Sequence, residues 1–405
     1  MNGSPNTHWA KRRKKWRQSW DKLVFNTVLS GETVDGHNDV LAAAEAGLAH
    51  CQQHENDAAC LNSNDPVVRQ GWALKKEVER QFRDLYVGRS SERILIHVPP
   101  PGLSPAGYSL FTNLAESLRF IGVSTETLDW HADTQKVLAE FRPSVFLSSD
   151  HFTYLERIDW AAVHAYKQTQ RLRVGLTASI AAYENTPLPG RLDWARHHGV
   201  DFYYTFRDEA YVTTRSDYRL FFDAAYRMVY IPFGANILHY YPVAGFERDL
   251  DFAIMATRKS EHMSYMRDIV RRHRGFIDGP GWKHVRHFQF NRERDRYIYA
   301  RAKVGLNVHL PEQIEWACEV NERTYQLAAC GVPQLIDRVK LLDKLFSRDA
   351  LTIADSPHVY AHLFESLLLH PEEATQKALL AQREVFAIHT TFHRADSLMR
   401  QLASL

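Results

Sequence analysis

Four cysteines in 405 residues are too few for a disulfide framework, and no CxxC pair marks a structural zinc site. Cys51 and Cys60 lie far in sequence from Cys318 and Cys330, so a reducing, cytoplasmic setting is expected. Long apolar runs are also missing. None approaches the roughly 20 residues that span a bilayer, and the basic N-terminus lacks the apolar segment of a signal peptide. Net charge is small: 50 basic against 48 acidic residues leave +2, which argues against nucleic acid as a partner. There is no HExxH, no GxGxxG, no low-complexity tract and no repeat of solenoid period.

What is present is a globular composition, 45% hydrophobic and 12% aromatic, in a chain long enough for two or three domains. Residues 1–90 stand apart. They are polar and read as helices at 41–54 and 67–86 without a convincing strand, which suggests an N-terminal helical extension. Its first part carries KRRKKWR at 11–17, with Trp9, Trp16, Trp20 and Val24 at helical spacing. That pattern suits a helix lying on an anionic membrane surface, or else a solvated arm or an oligomer contact.

From Arg93 short apolar runs alternate with helix-length segments: RILIHVP, PSVFLSS, RVGLTAS and DFYYTF, with MVYIPF as a fifth strand or a linker. The alternation restarts at LDFAIMAT and continues through GFIDG, KVGLNVHL, PQLID and ALTIAD. Such βαβ units build parallel sheets. Two doubly wound, Rossmann-like domains fit domain-size priors better than one sheet of ten strands. The expected boundaries are 91–235 and 236–385, with 386–405 as a helix that crosses back. Two such sheets facing a cleft put their ligands on the loops after the strands.

Those loops supply the candidates. NERTYQLAACGVPQLID at 321–337 opens a helix with Asn321, Glu322 and Arg323, at the end where free N–H groups favour an anion. Arg323 adds a bidentate donor, unless Asn321 is merely an N-cap and Arg323 a solvated side chain. Glu322, Arg323 and Gln326 share one side of that helix. Arg258 and Lys259 follow the strand LDFAIMAT, and Trp282 follows GFIDG as a stacking platform or a core residue. Gly102 and Gly107 both lie in PPPGLSPAG, the loop after the first strand, where backbone N–H groups could approach a phosphate or an acceptor. His151, beside Asp150, could touch a transferred group or act as a base. Asp249 and Asp251 spell DxD, but at the start of a strand and not its end, so we expect no metal site there.

The order of these segments resembles the C-terminal part of GT-B glycosyltransferases, and within them the CgeB-like relatives of the glycosyl transferases group 1. Arg323, Ala329 and Gly331 fall on the pattern R-x-F-E-x-x-A-x-G, ahead of an apolar strand ending in Asp337. "HPEE" and a closing HT-x-x-HR, here His389, Thr390, His393 and Arg394, complete it. The resemblance is clear over 300–400, extends to about 230, and is only topological before that. It implies a nucleotide-sugar donor, an unidentified glycan, protein or small-molecule acceptor, no metal or other cofactor, and retention of configuration. It also implies that Arg258, Lys259 and Arg323 meet the donor diphosphate, that Trp282 lies near the base, and that Gln326 replaces a ribose-binding Glu. That departure removes a charge-assisted hydrogen bond. It keeps a non-catalytic nucleotide-sugar or glycan-binding protein in view, alongside another two-domain enzyme such as a nucleotide-sugar epimerase.

Overall fold

The computed structural model describes residues 42, 44–49, 55–181, 186–282, 285 and 288–405. The expected membrane-facing arm at 9–24 lies outside them. The described residues form two compact units: those within 74–238, 316–326 and 384–405 make one, and those within 42–73, 239–315 and 327–383 the other. The described part of the 1–90 segment is thus shared between them.

The first unit is built on six parallel strands: β1 (Arg93–Val98), β2 (Ser124–Asp129), β3 (Val145–Ser148), β4 (Arg173–Thr177), β5 (Phe202–Thr205) and β6 (Arg227–Tyr230). Their order is β2-β1-β3-β4-β5-β6. MVYIPF is therefore a strand at the sheet edge. β2, STETLD, was not expected. It is an edge strand with only two buried residues, Thr125 and Leu128, so it lacks the continuous apolar run by which a central parallel strand is recognised. The other edge is blunted locally: the Gln401 side-chain amide accepts from the Tyr230 N–H and donates to its C=O, both at 2.9 Å, imitating one residue of a neighbouring strand.

The closing helix, Thr391–Ala403, packs on the helix Pro105–Phe120 within this unit. Phe392 stacks on Phe120 with centroids 4.2 Å apart, and the Ser117 and Thr391 hydroxyls hydrogen-bond at 2.6 Å. The HT-x-x-HR motif explains how the helix is held. Ala235 donates to the His389 C=O and accepts from the Thr391 N–H, each at 2.9 Å. Thr390 caps the helix, and Arg394 donates to the Phe233 C=O. Gly234 allows the approach: a Cβ there would lie 2.7 Å from the His389 carbonyl oxygen.

The second unit has five parallel strands: β7 (Leu250–Met255), β8 (Gly275–Asp278), β9 (Ala302–Asn307), β10 (Gln334–Asp337) and β11 (Thr352–Ala354), in the order β11-β10-β9-β7-β8. Its core gathers Phe252, Ile254, Met266, Leu306, Leu335 and Phe364. The helix expected at 67–86 spans Pro66–Phe82, and its start rests on this unit, with the Trp72 indole donating to the Pro242 C=O at 3.0 Å. Cys60, Cys318 and Cys330 are all buried. Burial pushes the Cys330 thiol up to about 12, so it is inert at neutral pH. No described helix is long and apolar enough to cross a membrane.

Candidate functional site

In an open parallel sheet the crevice forms where strand order reverses, beyond the carboxyl ends. In the five-stranded unit that point lies between β7 and β9. The loop after β7 runs Ala256-Thr257-Arg258-Lys259 into the helix Ser260–Arg272. It is laced to the loop after β8: Ala256 N–H donates to the Asp278 C=O and Arg258 N–H to the Pro280 C=O, both at 2.8 Å. Gly279, at φ 137°, permits this, because a Cβ would come within 2.1 Å of the Ala256 carbonyl oxygen. Arg258 is half-buried and Lys259 exposed. Neither forms an ion pair with a described residue, so two cations sit unspent at the switch point, beside a helix start whose N–H groups add positive potential.

Among the described residues, Asp337 and Asp278 at the neighbouring strand ends are both held by hydrogen bonds. At the end of β10, Asp337 accepts from the His309 N–H at 3.0–3.1 Å and lies 2.7 Å from His309 Nδ1, with both side chains buried. At the end of β8, Arg294 donates to Asp278 at 2.8 Å and to Asp295 at 3.0 Å. Burial raises the Asp295 carboxyl to about 6 against the pull of Arg294. The His309–Asp337 pair was not singled out as a site, although a strand ending in Asp was visible in the sequence. Its partner sits inside another apolar run, and only strand pairing joins them.

Trp282 is buried in the core of this unit, and its indole N–H donates to the Ala256 C=O at 2.6 Å. It therefore supports the loop that carries Arg258, with its ring packed among core residues. Asp249 and Asp251 lie at the opposite, amino end of β7. Asp249 takes two hydrogen bonds from Arg301, at 2.6 and 2.8 Å, and Asp251 one from Lys303 at 2.8 Å. Among the described residues no cluster of three His, Cys, Asp or Glu side chains is arranged to hold a metal ion.

The remaining candidates belong to the six-stranded unit. Asn321 is indeed an N-cap, its Oδ1 accepting from the Thr324 N–H at 3.2 Å at the start of the helix Glu322–Ala329. Glu322 accepts from Asn113 at 3.3 Å, and Asn113 in turn accepts from Asn236, which donates to Glu116 at 2.7 Å. This part-buried chain fixes the first turn, where Arg323 is half-buried, as is Gln326 just beyond it. Beside it, Asn113, Phe233, Glu322 and Arg394 border a void of about 20 Å³, room for roughly one water. Gly107 lies within the helix Pro105–Phe120, where a Cβ would meet the Tyr154 hydroxyl at 2.1 Å. Close side-chain packing is thus sufficient reason for that glycine. Gly102 has open space around it.

His151 caps the short helix Phe152–Leu155, with Nδ1 accepting from the Thr153 N–H at 3.3 Å. Its neighbour Asp150 is the more deeply engaged. It accepts from Thr177 Oγ1 at 2.9 Å and the Ser179 N–H at 3.3 Å, and it is ion-paired with Arg191. Burial drives its carboxyl up to about 6 in spite of that partner. The nearby His97, fully buried at the end of β1 with Nδ1 3.0 Å from Ser148 Oγ, is pushed down to about 4 by burial.

The first set of candidates, Arg258, Lys259 and Trp282, is brought together by one unit. The second set, Gly107, His151 and Asn321–Gln326, belongs to the other unit.

Comparison with known proteins agrees with this architecture. Residues 258–400 match the family described as glycosyl transferase-like. No curated protein matches the sequence. Solved structures with a similar fold include sucrose-phosphate synthase from Thermosynechococcus elongatus, at 14% identity and a TM-score of 0.53, over 77% of this chain and 100% of that one. Anabaena Alr3699/HepE, solved with UDP-glucose, is 11% identical with a TM-score of 0.52, over 77% and 100%. A variant of T4 phage BGT, also with UDP-glucose, is 8% identical with a TM-score of 0.50, over 77% and 98%. The segment that begins at Arg258 is therefore a glycosyl transferase-like domain, in a chain with the GT-B glycosyltransferase fold.

Proposed function

We propose that this chain is a glycosyltransferase that moves a hexosyl group from a nucleotide-sugar, of the UDP type, to an acceptor hydroxyl. One observation carries the reading: two cations with no ion-pair partner among the described residues, Arg258 and Lys259, stand at the switch point of the five-stranded sheet, at the start of the glycosyl transferase-like segment. When the glycosidic bond of a nucleotide-sugar breaks, negative charge grows on the departing diphosphate. Fixed cations that need not reorganise stabilise that charge more in the transition state than in the ground state. They take the part a divalent ion would otherwise play, so we propose a metal-independent reaction.

The UDP preference rests on the relatives solved with UDP-glucose. By the family pattern, Arg323 is a further diphosphate contact and Gln326 a ribose contact, with Asn321 and Glu322 setting their turn. Retention of configuration is proposed on the same pattern. For the acceptor we propose the six-stranded unit, with His151 and the segment leading to Gly107 as contacts. A second reading, a nucleotide-sugar-binding protein without turnover, is favoured only by the amide at Gln326.

A thermal-shift screen against UDP, GDP, dTDP, CMP and their common sugars tests the first step, since a ligand that binds the native state raises its stability by mass action. We expect UDP and UDP-sugars to give the largest shifts. Turnover of a radiolabelled UDP-sugar, by transfer or slow hydrolysis, then separates enzyme from binder. Binding without any turnover across an acceptor panel would favour the second reading.

A further inference from the structure

In the six-stranded unit a cavity of about 400 Å³ opens between the helices Trp160–Thr169 and Leu188–His197, over β4 and β5. That size falls within the range of small-molecule sites. Its walls are mainly apolar and aromatic, with Glu156, Thr186 and His198 also in the lining: Trp160 and Trp194 meet edge to face at 5.0 Å, and Tyr203 of β5 borders the space. Asp150 and Arg191, both buried, form a paired polar patch in the lining. Buried ion pairs are uncommon features of a cavity wall, and a carboxyl shifted towards neutrality inside an apolar pocket is a recognised mark of binding sites.

We propose that this cavity is a second ligand site, one that takes a small apolar ring bearing a hydroxyl. The walls decide the class. A sugar would bring several hydroxyls against mainly apolar walls, and those that reach none of the few polar groups would lose hydrogen bonds to water without replacement. A largely apolar ring gains from the indole surfaces and needs one polar contact only. Asp150 can give that contact. Its oxygens accept from Thr177, the Ser179 N–H and Arg191, and a carboxylate has about four acceptor positions. A hydroxyl donor there would also favour the ionised carboxylate, which burial otherwise opposes. The site uses none of the residues proposed for the donor, and the proposal stands whether or not the chain transfers a sugar.

Gly190 makes it testable. It lies in the helix Leu188–His197 and lines the cavity, and an added Cβ would meet only Thr186 Cγ2, at 3.6 Å. Gly190→Leu should therefore fill the cavity without strain and leave Tm equal or higher, because glycine is a poor helix former. Calorimetric titration of the full chain with 2-naphthol should give saturable one-site binding. Its methyl ether, which cannot donate, should bind at least tenfold more weakly, and methyl glucoside should not bind. Gly190→Leu should weaken 2-naphthol at least tenfold. If that variant does not fold, Trp194→Leu replaces it with the same expectation. No saturable binding of 2-naphthol, unchanged affinity in the filled variant, equal affinity for the ether, or tighter binding of methyl glucoside would each overturn the proposal.

Discussion

The two units are variations on one parallel-sheet plan that spend charge differently at their strand ends. In the six-stranded unit, Asp150 after β3 is locked to Arg191, Thr177 and Ser179. In the five-stranded unit the acids are equally locked, by His309 and Arg294, but the loop after β7 leaves Arg258 and Lys259 without ion-pair partners among the described residues. A satisfied buried pair spends its charge on offsetting its own burial, and can offer a neutral ligand a hydrogen bond but little net charge. Unspent charge at a switch point tells of a ligand.

That contrast fails if the two kinds of charge respond alike to mutation. The largest effect should come from Arg191→Ala, which leaves the buried Asp150 carboxylate without its counter-charge beside a largely apolar cavity. Breaking a buried pair costs about 3–5 kcal/mol, so chemical denaturation should show a clear loss of stability. A loss below about 1 kcal/mol would mean that the pair is solvated and the contrast empty.

Arg258→Ala should do the reverse. Stability should hold, while kcat for UDP-sugar turnover falls by roughly ten- to thousand-fold, the scale of losing one preorganised charge contact. Transfer should persist in EDTA. Activity abolished by EDTA, restored by manganese and lost in Asp251→Ala would move the site to the other end of β7.

Protonation sharpens the picture within the six-stranded unit. His97 has its pKa lowered from 6.5 to about 4 by burial, so between those values the unfolded chain binds more protons than the folded one. Its contribution to stability is present above pH 6.5 and lost as pH falls towards 4, up to roughly 3 kcal/mol at 1.36 kcal/mol per unit. Asp150, raised from 3.8 to about 6, works oppositely: its stabilising protonated form is lost as pH rises through 6. His97→Phe should thus remove the acid-side loss, and stability measured across pH 4–6.5 should fall less on acidification than in the parent. An unchanged profile would show that His97 titrates normally.

The smallest effect concerns Gln326. Gln326→Ala should raise the donor KM several-fold with little change in kcat, and Gln326→Glu should be tolerated or improve it. Unchanged KM in the alanine variant would remove Gln326 from the donor site.

Local signals made much of this legible. Ten of the eleven strands among the described residues are visible as apolar runs, because a parallel strand covered on both faces needs apolar side chains on both. The HT-x-x-HR motif was legible as a pattern, yet its work was not. The structure shows it as a clasp from His389–Arg394 to Phe233 and Ala235, about 155 residues earlier, and no local periodicity announces a partner at that distance. Trp282 could be read equally as platform or core until its burial and its bond to Ala256 were seen.

The sequence by itself determined the two-sheet α/β plan, the loops that lie beyond the strands, and the cations after β7, since propensity and burial act residue by residue along the chain. Tertiary structure alone decided which charges are spent. Arg191 reaches Asp150, Arg294 reaches Asp278 and His309 reaches Asp337 because the packing of strands and helices places those segments side by side. A charge's value depends on the dielectric and the partners around it, and both are properties of the packed fold.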